Sequence, residues 1–165
     1  LKDLKKSGYL YLLLAVIIMA VLFFSSSQTY EQQSQVGLLS KLLKNEPFKE
    51  SLTKVKFVYA GSDISIAAKG YASFIEFFIR KGAHFVTYFA LGISWLLILN
   101  KQLKSVLLAS VVSWLSATGY AGLDEFHQMV TGGRTPLVED IMLDSVGALT
   151  GVVICLLILA IRQKK

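Results

Sequence analysis

Cysteine occurs once in this chain, at Cys155, and proline only twice. One thiol excludes an intrachain disulfide and a cysteine-built zinc site. Cys155 lies in the last apolar run, where it reads as a small packing residue. Charge is also scarce, with 17% of the 165 residues charged against 54% hydrophobic. A water-soluble domain of this size needs more polar surface than that. The H-E-x-x-H metal helix and the G-x-S-x-G nucleophile turn are both missing, and no phosphatase-like signature surrounds the histidines. No internal repeat is present, and Ser25-Ser26-Ser27 is the only low-complexity tract.

What is present is four long apolar runs with the charges collected between them, the pattern of a polytopic membrane protein. The runs cover about 8–24, 82–99, 105–123 and 141–161. The expected fold is therefore an all-α membrane protein, one domain over 1–165 with four transmembrane helices. The first run follows Lys2, Lys5 and Lys6 but is long for a signal peptide and lacks a small-x-small cleavage site, so it reads as a retained anchor. Lysine and arginine in the short flanks (Lys2, Lys5, Lys6; Lys101, Lys104; Arg162, Lys164, Lys165) fall on one side of a four-helix arrangement. That side is expected to be cytoplasmic, with both termini on it, leaving 25–80 and 124–140 extracytoplasmic. The net charge of +6 is then assigned to lipid head groups and topology, and no nucleic-acid partner is expected.

The segment 25–80 is expected to be partly structured. Val36, Leu39, Leu42 and Leu43 recur at helical spacing beside Lys41 and Lys44, which suggests a short amphipathic helix on the membrane surface. Pro47 ends or restarts it. Residues 54–59 alternate like a strand, with Gly61-Ser62-Asp63 as the turn signal. Phe74, Phe77 and Phe78 suggest an interfacial aromatic shelf before the second span.

The polar residues converge on one end of the spans. Lys81, His84 and Tyr88 are spaced to share a helical face. Asp124, Glu125 and Gln128 follow the third span, with Asp124 and Gln128 on one face if helical turns continue. Asp140 and Asp144 open the fourth, above Gly147 and Gly151, a small-residue stripe that lets a neighbouring helix approach closely. Asp144 is the most suggestive, because a carboxylate within an apolar run needs a partner. Arg80 and Glu139 read as solvated flanks, and His127 as an exposed loop residue. Two readings stay open: Lys81 and Arg134 staple the helix ends by pairing with the acids, or the cluster is a site.

These residues, with Phe24-Ser25-Ser26-Ser27-Gln28 after the first span, resemble the VanZ-like family of bacterial membrane proteins. The resemblance rests on Lys81-x-x-His84-x-x-x-Tyr88, Asp124-Glu125-x-x-Gln128, Arg134, Asp140, Asp144, Gly147 and Gly151. It implies a neighbourhood of function, since the family's namesake is associated with low-level teicoplanin resistance, but no known reaction. A ligand-binding role for Lys81, His84, Tyr88, Asp124, Glu125, Gln128, Arg134, Asp140 and Asp144 follows as an expectation. The ligand would be a membrane lipid, a lipid-linked cell-wall precursor or a lipoglycopeptide. Lysine and arginine suit its phosphate groups. The alternatives are an intramembrane enzyme on a lipid head group, with His84, Asp124 and Glu125 as catalytic candidates, and a small lipid transporter, for which four helices require an oligomer. No cofactor and no resident metal are expected.

Overall fold

A computed structural model describes residues 2–132 and 135–163. Four long helices dominate: α1 (Lys2–Ser26), α6 (Tyr71–Leu99), α7 (Val106–Gly132) and α8 (Val138–Gln163). Each carries a stretch long and apolar enough to cross a membrane. Between α1 and α6 lie the short helices α2 (Tyr30–Gln33), α3 (Val36–Leu42), α4 (Lys49–Leu52) and α5 (Ile66–Lys69), and the strands β1 (Phe57–Tyr59) and β2 (Ser62–Ile64).

All four helices are longer than their apolar runs, and two of the extensions carry polar residues of interest. The second begins at Tyr71 instead of 82. At 1.5 Å per residue its 29 residues reach about 43 Å, more than the ~30 Å hydrocarbon core. Phe74, Phe77 and Phe78 are therefore turns of the helix itself. The third continues through 124 to Gly132, because nothing breaks the helical register before the Gly132-Gly133 pair. The loop expected over 124–140 shrinks accordingly, and Asp124, Glu125, His127 and Gln128 are helical.

The small elements follow local rules. Tyr59 pairs with Ser62 across the antiparallel hairpin, so the turn is Ala60-Gly61, not Gly61-Ser62-Asp63. Both turn residues have positive φ (48° and 73°), as a tight two-residue hairpin demands. Helix α3 forms at the expected amphipathic stretch and packs against α6.

α6 is the hub, packed against α8, α7, α1, α3 and α5. Its contact with α8 is backbone to backbone. A Cβ on Gly92, Gly147 or Gly151 would fall under 3.0 Å from the carbonyl oxygens of Ala148, Phe85 and Phe89 respectively. Around this seam, Tyr88, Leu91, Ala117, Ala121 and Ala148 bury one core cluster with Ala15 and Leu22 of α1. Leu96, Ala109, Val152 and Cys155 bury a second. Polar ties fix rotation: the Trp114 indole donates to the Ser145 hydroxyl at 2.9 Å, and the Tyr120 hydroxyl to the Met19 carbonyl at 2.6 Å.

The seam is testable. Gly151→Leu is expected to lower stability by about 3 kcal/mol or more, since backbone cannot yield to a side chain as a flexible neighbour would. Gly119→Ala, where a Cβ meets nothing within 4 Å, is expected to be neutral or stabilising by up to about 1 kcal/mol. Heating in detergent followed by fluorescence-detected size exclusion compares the two; equal loss would refute the close α6–α8 contact.

Candidate functional site

At the end of the bundle where α6 and α8 begin and α7 finishes, the chain encloses a half-open cavity of about 710 Å³. Ser73, Glu76, Phe77, Arg80, Lys81 and His84 of α6 line one wall, as their spacing of three and four residues requires. Glu125 and Gln128 of α7, with Leu137 and Asp140 at the start of α8, line another. Tyr30, Lys69, Thr135 and the hairpin residues Tyr59, Ala60, Ser62 and Ile64 complete it.

Lys81 pairs with Asp140, not with Asp144. The Tyr59 hydroxyl donates to the same Asp140 Oδ1 at 2.6 Å, and the Lys81 ammonium lies 5.0 Å from the Tyr59 ring centre. Lys81, Asp140 and Tyr59 thus pin the hairpin to α6 and α8. Burial, then the hydrogen bond to Asp140, pushes the Tyr59 hydroxyl well above the ordinary tyrosine range.

Glu76 is the residue that sequence reasoning missed. It is 2% exposed and accepts the Tyr30 hydroxyl at 3.3 Å, the Ser34 hydroxyl at 3.1 Å and the Gln35 backbone N–H. This carboxylate straps residues 30–35 across α6. The signal is a four-residue stripe, Glu76, Arg80, His84, Tyr88, which a span starting at 82 cuts in half. Arg80 is likewise no solvated flank. Its Nη2 donates to Gln33 Oε1 at 3.0 Å, its guanidinium lies 4.8 Å from the Tyr30 ring centre, and its Nη1 is buried without a hydrogen-bond partner among the described residues.

Below the cavity lies a drier tier. His84 Nδ1 sits 3.3 Å from Asp144 Oδ2, with His84 31% and Asp144 3% side-chain exposed. His84 is therefore the part of this pair that reaches the cavity. Tyr88 stacks beneath it, ring centres 6.4 Å apart. Gln128 donates to Asp124 Oδ2 at 3.1 Å. Tyr88 OH, Asp124 Oδ1 and Asp144 Oδ1 are buried and unpartnered among the described residues, an uncommon state for polar atoms.

The fold thus gathers Lys81, His84, Tyr88, Asp124, Glu125, Gln128, Asp140 and Asp144 at one end. Gly147 and Gly151 sit on the adjoining seam. Arg134 lies outside the described residues. Glu139 is exposed. His127 is not in a loop: it stacks on Phe23 at 4.3 Å and bonds the Ser26 hydroxyl through Nδ1 at 2.7 Å, so it ties α7 to α1. Among the described residues, no group of three His, Cys, Asp or Glu side chains converges closely enough to hold a metal ion.

The hairpin clasp predicts a pH signature. Because the folded Tyr59 hydroxyl ionises above its unfolded value of about 10, its contribution is complete below that value and fades as pH rises beyond it. Tyr59→Phe is expected to remove this alkaline sensitivity and cost about 1 kcal/mol at neutral pH through the lost hydrogen bond. Melting curves of both proteins across the alkaline range check it; parallel curves would refute the assignment.

No curated protein and no solved structure matches this chain. The VanZ/LLP1 family model matches residues 11–159. That match runs from α1 to α8 and takes in the whole polar end of the bundle, and the chain is a multi-pass membrane protein of the VanZ/LLP1 family.

Proposed function

We propose that the end cavity binds the phosphate-bearing head group of a membrane lipid or lipid-linked cell-wall precursor. By that binding the protein modulates susceptibility to the lipid-tailed glycopeptide teicoplanin. The observation that carries this is the state of the charges on the wall. Asp140 already receives Lys81 and Tyr59, and Glu76 receives three donors. Among the described residues, Arg80 keeps a buried N–H group without a partner. Arg80 thus brings a guanidinium with an unmet donor to this wall, and guanidinium matches phosphate oxygens in geometry and charge. Lys69, also on the wall, adds a second cation.

In this reading the cavity opens at the outer face of the bacterial cytoplasmic membrane, and both termini are cytoplasmic. The basic flanks at Lys101, Lys104 and Arg162 support that orientation. A ligand at this interface reaches the cavity from the bilayer with its acyl chains still in lipid.

A second reading, chemistry on the head group, has one observation in its favour. Asp144 holds one nitrogen of His84 and leaves the rest of the ring toward the cavity, the arrangement that orients a histidine as a general base. Accumulation of a modified lipid that disappears in His84→Ala would favour it over binding alone.

The test compares empty vector, the intact protein and Arg80→Ala in a susceptible Gram-positive host at equal membrane abundance. Protection against teicoplanin but not vancomycin is expected from the intact protein. Arg80→Ala is expected to weaken head-group binding about tenfold or more, the worth of a charge-assisted hydrogen bond, and to lose the protection. An intact protein that protects against neither drug would sink the susceptibility role.

A further inference from the structure

Two oppositely charged side chains face the cavity and do not meet. Arg80 stands on α6 and Glu125 on α7, both on the wall, and no ion pair joins them among the described residues. Each is held where it is. Gln33 and the Tyr30 ring fix the guanidinium. The Leu137 backbone N–H donates to Glu125 Oε2 at 2.9 Å and fixes the carboxylate.

On the cavity wall, Asp140 has Lys81 and Tyr59 and Glu76 has three donors, whereas among the described residues Glu125 receives this one backbone N–H. A carboxylate can accept about four hydrogen bonds, and one that is only 5% exposed gets few from bulk water. That leaves acceptor capacity for a donor that enters the cavity. Phosphate alone would satisfy Arg80 and repel Glu125. A head group that presents phosphate at one end and an N–H or O–H at the other satisfies both.

Building on the head-group reading above, we propose that Glu125 sets the specificity of this cavity. Its ligand is a lipid whose phosphate is linked to a hydrogen-bond donor, an ammonium or a hydroxyl. Arg80 holds the phosphate and Glu125 accepts from the donor. Phosphatidylethanolamine and phosphatidylcholine separate the two contributions, because they share the phosphate while methylation removes every N–H from choline.

Native mass spectrometry of the full chain in a maltoside detergent, which carries no phosphate, measures both lipids on equal terms. The intact protein is expected to bind the ethanolamine lipid about tenfold more tightly than the choline lipid, the worth of one hydrogen bond to a charged group. Glu125→Gln keeps an acceptor for Leu137 and is expected to bring that ratio close to one. Arg80→Ala is expected to weaken both lipids and leave the ratio in place. Equal binding of the two lipids by the intact protein, or a ratio that Glu125→Gln leaves unchanged, overturns the role of Glu125 and spares the phosphate reading. Failure of the intact protein to bind either lipid or phosphatidylglycerol removes the head-group reading and this inference together. Soluble glycerophosphoethanolamine is expected to displace bound lipid poorly; displacement as effective as that by the lipid would overturn the lipid as the source of the head group. Size exclusion of each variant verifies that it is folded.

Discussion

The contact on which the rest depends is the one between the backbones of α6 and α8. Gly92, Gly147 and Gly151 remove side chains where the two helices cross, and carbonyl oxygens of the facing helix fill that space. In a bilayer, where lipid tails are as apolar as leucine, such close packing is a main source of helix association. Its consequence is positional. With α8 that near, Asp140 and Asp144 fall beside Lys81 and His84, within reach of an ion pair and a hydrogen bond. A leucine-separated pair of helices would hold those side chains too far apart.

The charges at this end follow an ordering by depth. Near the cavity mouth Lys81 and Asp140 pair and share Tyr59. One turn further in, His84 meets Asp144. Deeper again, Tyr88 is fully buried and Asp124 nearly so, and among the described residues the Tyr88 hydroxyl and one Asp124 oxygen lack a polar partner. Ionisable groups are tolerated inside a membrane bundle when they face one another or a polar cavity, and both conditions are met here. The strap over residues 30–35 has the same logic. Glu76 satisfies itself with donors from that segment, and the segment returns Tyr30 and Gln33 to Arg80.

Much of this was legible from residue order. Four spans, the helix at 36–42 and the strand before Gly61 follow from composition and period. So does the grouping of Lys81, His84, Tyr88, Asp124, Asp140 and Asp144 at one end, since alternating spans bring those helix ends to one side. Glu76, Arg80 and His127 were misread or missed for one shared reason. Hydropathy marks where a helix is apolar, not where it stops, so the polar first third of α6 and the last turns of α7 looked like loop. Residues there had no face to be assigned to.

The sequence by itself determined that this chain lives in a membrane, because so few charges cannot cover a soluble core, and it determined the helical faces, because 3.6 residues per turn fixes which side chains stand in line. Only the tertiary structure decided the partners. Lys81 had several acids to choose from and took Asp140, and among the described residues Glu125 receives a backbone N–H and Arg80 keeps an unmet donor. Those outcomes depend on how close α8 lies to α6 and on where the strap and hairpin fold back. Periodicity along one chain cannot set distances between helices that are far apart in sequence.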